Sequence, residues 1–250
     1  MAGPGSDALL EARSVFRLHP GEAAPVLQDV SFTVPEGKFA VVMGPSGSGK
    51  STLLHLLCGL DEPSSGQLFL AGQELTRLDD EQRTLVRRAY VGFVFQFFNL
   101  VPNLTVGENI ALPLLMQGIT DPKHDERYAK VAALFGLGDK LERRPHELSG
   151  GEMQRTSIAR AVVHRPRVVF ADEPTGNLAT KAGLEVMQFL RRAVDELGTT
   201  VLLVTHNPRD ARFADELHFL KDGRIDPAHT LRGADVNENR IHARLEELGI

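Results

Sequence analysis

The stretch Gly44-Pro45-Ser46-Gly47-Ser48-Gly49-Lys50-Ser51-Thr52 decides how the rest of the chain is read. It fits the spacing G-x-x-x-x-G-K-[ST], with the apolar run 39–43 before it and Leu53, Leu54, Leu56 and Leu57 after it. A strand that enters a glycine-rich curl and leaves as a helix turns several backbone N–H groups onto one anion. The positive end of the helix dipole adds to them. Lys50 is then placed to neutralise the outer phosphates of a nucleotide, and the Ser51 hydroxyl to ligate Mg2+. Residues Gly44, Pro45, Ser46, Gly47, Ser48, Gly49, Lys50, Ser51 and Thr52 are therefore expected to line a nucleotide site. The bland alternative is a Gly/Ser-rich turn before a helix.

Working outward, apolar runs at 37–44, 91–95, 168–172 and 200–205 alternate with helical patterns at 49–58, 150–164 and 180–197. That alternation is the mark of a parallel sheet with helices on its faces. In the last helix Leu184, Met187 and Leu190 carry the three-to-four spacing. Residues 216–220, then Lys221-Asp222-Gly223, then 224–225 read as a hairpin, because Asp-Gly supplies the positive φ of a tight turn. The stretch 97–147 is different in kind. It is punctuated by prolines and glycines and carries two helical patterns, 106–117 and 122–135, which predicts a helical insertion. From Asp226 the chain is polar, with an amphipathic helix expected over 239–248.

In a chain of 250 residues, 42 % hydrophobic and 24 % charged side chains exclude an intrinsically disordered protein. A net charge of −5 gives no support to wholesale nucleic-acid binding. No run of about 18 apolar residues appears, so no membrane crossing is expected. Residues 1–14 lack a basic segment followed by an apolar one, so no secretory signal is expected there. The single cysteine, Cys58, excludes an internal disulfide and fits a reducing cytoplasm.

A second motif, Val168-Val169-Phe170-Ala171-Asp172-Glu173, is an apolar strand that ends in two carboxylates. Open α/β sheets bind ligands at the carboxyl ends of their strands. Asp172 is expected there to hold Mg2+ through its water shell, and Glu173 to polarise an attacking water. A strand merely capped by solvated charge is the alternative. A third motif, Leu148-Ser149-Gly150-Gly151-Glu152-Met153-Gln154-Arg155, opens a helix whose N-terminus is again an anion site, with an ordinary serine N-cap as the alternative. No Asn-Lys-x-Asp guanine reader is present.

Taken together these motifs resemble the ATP-binding subunit of ABC transporters over nearly the whole chain. The Walker A match at Gly44 to Thr52, the signature at Leu148 to Glu152, the Walker B match at Val168 to Glu173 and Thr205-His206 stand in the family's order. Gln96 matches the Q-loop, and His206 the histidine that the family places on the γ-phosphate. Phe16 looks like the aromatic that stacks on adenine, with a core phenylalanine as the alternative; Val15 and Arg17 suit that role less.

The resemblance implies an α/β fold: a P-loop NTPase core of RecA-like kind, an antiparallel β extension and an inserted α-helical subdomain. Residues 1–96 and 156–225 would form the discontinuous core, 97–155 the helical subdomain ending in the signature, and 226–250 a tail. It implies ATP and Mg2+ as ligands, with Ser51, Gln96 and Asp172 toward the metal and Glu173, His206, Gln96 and Lys50 in hydrolysis. It further implies a homodimer in which Ser149, Gly150 and Gly151 of one copy face the nucleotide of the other, working with an integral membrane permease-type subunit. The location would be cytoplasmic, on the inner face of the cell membrane through that partner. Phe97, Phe98 and Leu100 would either line a groove for a helix of the partner or pack inside.

Residues 91–109 and Pro174-Thr175-Gly176-Asn177-Leu178 look most like the branch of lipoprotein release, macrolide export and cell division. An importer subunit for amino acids or metals is the alternative. A soluble ABC-type ATPase acting on nucleic acid fits less well, since the stretch between Lys50 and Ser149 has no heptads and no second cassette is present. One departure stands out: Ala179 occupies the position where the family usually has an aspartate that helps the two sites sense each other.

Overall fold

A computed structural model describes residues 8–250, so the first seven residues of the leader reading made on 1–14 lie outside the described residues. The chain divides into two compact units, Met1–Ala89 with Thr200–Ile250, and Tyr90–Thr199. The chain runs through β1 (Ala8–Arg17), β2 (Leu27–Pro35), β3 (Phe39–Met43), α1 (Lys50–Leu57), β4 (Ser65–Leu70), β5 (Gln73–Glu74) and α2 (Asp80–Tyr90). It continues through β6 (Val91–Val94), α3 (Val106–Met116), α4 (Glu126–Leu134), α5 (Gly150–Val162), β7 (Val168–Asp172) and α6 (Thr180–Leu197). It ends with β8 (Thr200–Thr205), α7 (Pro208–Ala211), β9 (Glu216–Lys221), β10 (Arg224–Ile225), β11 (Leu231–Arg232) and α8 (Glu238–Leu248).

In the first unit, β3 lies between β8 and β9 and is parallel to both. All five residues of β3 and all six of β8 are buried. Covered on both faces, these strands read as unbroken apolar runs rather than as alternations. The β9–β10 hairpin turns at Asp222 and Gly223, with φ of 48° and 73°, as the Asp-Gly pair demands. The sheet β2-β1-β4-β5 is wholly antiparallel and forms the β extension. Its strands bury one face: Leu27, Val30, Phe32 and Val34 alternate with wetter residues along β2. Cys58, just past α1, is buried; its thiol donates to the His55 carbonyl at 3.3 Å, and burial pushes its pKa up to about 12.

In the second unit β6 and β7 pair in parallel, Val94 opposite Ala171. Helix α5 packs against α3, α6 and β6. One helical expectation changes in its bounds and another in the face it buries. The pattern at 122–135 resolves into a 3-10 turn at Pro122–His124 followed by α4, capped by Asp125. The buried stripe of α6 is Gly183, Val186, Met187, Leu190, Ala193 and Val194, so Leu184 faces outward.

Among the described residues no helix is long and apolar enough to cross a membrane. The polar tail is structured: β11 pairs with β9, and α8 buries Ile241 and Leu245.

Candidate functional site

The first unit builds the glycine-rich curl between β3 and α1. Gly47 and Gly49 sit at φ of 81° and 100°, left-handed values that glycine alone adopts without strain. Gly44 is fixed by crowding instead. A Cβ there would fall 2.1 Å from the backbone oxygen of Leu220 and 2.8 Å from Ser48 Oγ. The loop is pinned by Ser48 N–H donating to the Pro45 carbonyl at 3.2 Å.

Lys50, only 5 % exposed, folds back over the curl and donates to the carbonyls of Gly44 at 3.0 Å and Pro45 at 2.9 Å. Its ammonium is thus held at the mouth of the loop while its stem is buried. Pro45, Ser46, Gly47 and Ser51 are exposed and Thr52 is half-buried. The Ser48 hydroxyl is buried without a hydrogen-bond partner. An N-terminus so arranged, with α1 behind it, is an anion site.

β8 delivers His206 to the same end of the sheet. Met43, the last residue of β3, pairs with Thr205, and the Gly44 N–H donates to the Thr205 carbonyl at 3.4 Å. His206 follows at once and is exposed. The turn after it is set by Asn207 N–H donating to Thr205 Oγ1 at 3.0 Å. Phe16 on β1 is 36 % exposed rather than packed in the core, while Val15 is buried and Arg17 is paired with Asp61 at 2.8 Å.

The second unit carries the carboxylates, Gln96 and the signature. Asp172 and Glu173 stand half-buried at the carboxyl end of β7. Glu173 has φ of 43°, a strained conformation for a residue with a side chain. Because β6 and β7 are parallel, Gln96 leaves β6 at that same end. Gly176 lies against it: a Cβ there would come within 2.9 Å of Gln96 Nε2. Asn177 Nδ2 donates to the Gln96 carbonyl at 3.1 Å.

Beyond Gln96 the chain turns through Phe98 and Asn99, at φ of 28° and 50°, with both carbonyls accepting from the Arg160 guanidinium at 3.2 and 2.8 Å. Phe97 is 70 % exposed, whereas Phe98 and Leu100 are half-buried.

Ser149 is the N-cap of α5 and makes a full capping box with Glu152. The Ser149 N–H and hydroxyl both donate to Glu152 Oε2 at 2.8 Å, and Glu152 N–H donates to Ser149 Oγ at 3.3 Å. These bonds, the backbone one foremost, hold the Glu152 carboxyl below its ordinary pKa, with Lys140 at 3.4 Å adding to the effect. Gly150 and Gly151 start the helix where a Cβ would press on Leu178 and Ala182, at 3.2 and 3.4 Å.

Sequence reasoning passed over three residues: Gln154, whose amide bonds two backbone carbonyls; Asn177; and Arg160. The first two stand inside quoted motifs, and the signal was an amide side chain, buried at Gln154 and exposed at Asn177, within reach of backbone carbonyls.

The ABC transporter family model matches residues 27–176. An uncharacterized ABC transporter ATP-binding protein of Methanocaldococcus jannaschii is 40 % identical over 219 residues, spanning 87 % of this chain and 97 % of that one. The macrolide export ATP-binding/permease protein MacB of Syntrophobacter fumaroxidans is 42 % identical over 222 residues, spanning 88 % of this chain but 31 % of that protein. The ATP-binding cassette MJ0796, of M. jannaschii, was solved as a dimer in a post-hydrolysis state bound to ADP and Pi. It superimposes with a TM-score of 0.79 at 35 % identity, covering 89 % of this chain and 98 % of that one.

Proposed function

The chain belongs to the ABC transporter family as an ATP-binding, ATP-hydrolysing subunit, and from that premise we propose how its residues divide the reaction. Lys50 and backbone N–H groups between Ser46 and Thr52 hold the triphosphate, and Phe16 stacks on the adenine. Water attacks the γ-phosphorus in line. Its oxygen bonds to phosphorus as the bond to the β-phosphate oxygen breaks, its proton passes to Glu173, and ADP and phosphate leave. His206 holds the γ-phosphate against that attack, and Lys50 carries the charge that develops.

Ser51, Gln96 and Asp172 offer a hydroxyl, an amide oxygen and one carboxylate. This is a hard oxygen set that suits Mg2+, an ion that keeps water and phosphate oxygens as its other ligands. Bound there, Mg2+ supplies neutralisation of the β- and γ-phosphates.

Two copies act together in this reading. Two helix tips, at Lys50 and at Ser149, are fit for anions, yet only the first carries a phosphate-loop lysine, and a single Asp172–Glu173 pair accompanies them. A twofold dimer uses each patch twice, with Ser149, Gly150 and Gly151 reaching the partner copy's ATP. The dimeric form of MJ0796 supports this. The MacB relatives, named as macrolide export ATP-binding/permease proteins and longer than this chain, support work with a permease-type membrane subunit in the export direction. The subunit would then sit on the cytoplasmic face of the membrane, with 97–155 as the helical subdomain that meets its partner.

The observation that carries the reading is the near-buried Lys50, folded over the carbonyls of Gly44 and Pro45 at the head of α1. Its test is Lys50→Ala. Equilibrium titration should show ATP binding abolished, and undiminished binding overturns the assignment. Glu173→Gln should accumulate an ATP-bound dimer on gel filtration; an ATP-bound monomer contradicts the shared site.

A further inference from the structure

Gln154 is wholly buried in the second turn of α5, five residues past Ser149 and so on a different side of the helix from that exposed cap. Its carboxamide nitrogen donates to the Phe95 carbonyl at 3.2 Å and to the Pro174 carbonyl at 2.9 Å. The two amide hydrogens therefore serve two acceptors, and the donor capacity of the side chain is filled.

Those carbonyls are not arbitrary. The first belongs to the peptide that leads into Gln96, and the second follows directly on Glu173. The far side of Gln96 is tied as well, by Asn177 Nδ2 on its carbonyl at 3.1 Å. The Gly176 N–H closes the turn onto the Glu173 carbonyl at 3.0 Å. One side chain thus fixes the distance between the backbones of Gln96 and Glu173.

The same amide carries a cost. Gln154 Oε1 is buried and has no hydrogen-bond partner. A leucine or methionine would fill the space without the unpaired Oε1, but it would take the donor from the Phe95 and Pro174 carbonyls, so the amide serves those two backbone groups rather than packing alone. Local violations of this kind gather where a site needs its geometry held.

We propose that Gln154 is a positioning residue for ATP hydrolysis: its carboxamide holds the backbones that carry Gln96 and Glu173 in one fixed arrangement. The inference rests on the reading that Glu173 and Gln96 act in hydrolysis. The phosphate loop lies in the other unit and makes no use of Gln154, so binding and turnover should separate when the amide is lost.

The experiment compares full-length wild type with Gln154→Leu, Asn177→Ala and Glu173→Gln. ATP affinity is measured by calorimetry, kcat by phosphate release, and Tm by circular dichroism. Gln154→Leu should lower kcat by about tenfold or more, the scale of a displaced reacting group, with ATP affinity unchanged within about twofold. Asn177→Ala, at an exposed position, should lower kcat by less and again leave affinity alone.

Wild-type turnover in Gln154→Leu alongside an inactive Glu173→Gln overturns the inference and leaves the Glu173 assignment standing. Full turnover in Glu173→Gln overturns that assignment instead. A parallel fall of affinity, kcat and Tm in Gln154→Leu shows a packing role and overturns the inference. Should Gln154→Leu fail to fold, Asn177→Ala decides: full turnover there overturns the fixed arrangement.

Discussion

Ser149 Oγ lies 2.8 Å from Glu152 Oε2 and donates its proton to that carboxylate. The contact sits at the tip of α5, so the protonation of Glu152 governs how the signature serine is held. Its folded pKa is depressed by the Ser149 N–H and hydroxyl. Stability from such a group is present above the unfolded value, about 4.3 for glutamate, and is lost as pH falls through the lower folded value. Glu152→Gln keeps an accepting oxygen that does not titrate. Thermal unfolding between neutral pH and pH about 4 should fall less steeply in the variant, by about 1 kcal/mol of helix capping. Equal slopes would show that the box does not depend on the charge.

Helix α6 begins at Ala179 without any side-chain cap bond. Ala179→Asp supplies the missing acceptor and should stabilise the chain by about 1 kcal/mol, raising Tm by about 2–4 °C. The same change restores the aspartate usual in the family, so ATP turnover should rise more steeply with ATP concentration than in the wild type. A Tm gain with an unchanged Hill coefficient would separate the capping role from the coupling role.

Gly176 is exposed and its φ is ordinary, so alanine costs its backbone nothing. The new methyl group would press on the far end of Gln96, at 2.9 Å, and rest in ordinary contact with the Glu173 carbonyl at 3.4 Å; a flexible side chain moves aside cheaply. Gly176→Ala should therefore hold or raise stability by about 0.4–1 kcal/mol while lowering kcat, with ATP affinity unchanged. An undiminished kcat would show that Gln96 need not stay where it lies.

His164 is buried near the end of α5, its Nε2 3.2 Å from the Val91 carbonyl and its Nδ1 without a partner. Burial, foremost, lowers its pKa from the ordinary value. The folded state resists a proton that the unfolded chain takes up near pH 6.5, so stability is full above that pH and declines as pH falls below it. In His164→Gln this component is absent, and the Tm loss between pH 7.5 and 5.5, measured by calorimetry, should be smaller than in wild type. Matching losses would place the acid sensitivity elsewhere.

Much of this was legible in the sequence because the parallel strands are buried on both faces. The runs at 39–43, 168–172 and 200–205 have no wet side to dilute them, and their ends carry the phosphate loop, Asp172-Glu173 and Thr205-His206. The β extension was legible only through family resemblance. Along β1 the pairing with β2 shifts register between Ala12 and Val15, where Ser14 takes φ of 46°, so the period-two alternation is interrupted. Helix α2 went unread because it buries only Arg83 and Val86, which leaves no apolar stripe to find. The ties around Gln96 were illegible for another reason: Gln154 and Asn177 act on carbonyls, and a backbone oxygen has no letter in a sequence.

The sheltered Cys58 has a practical side. With its thiol closed off and its pKa at about 12, a maleimide finds no native target at neutral pH. A cysteine introduced at an outward position away from the site, such as Gln188 or Ala243, becomes the one reactive handle on an otherwise natural chain. Fluorophores or spin labels placed there can report separations between copies during turnover, with no need to strip the native cysteine first.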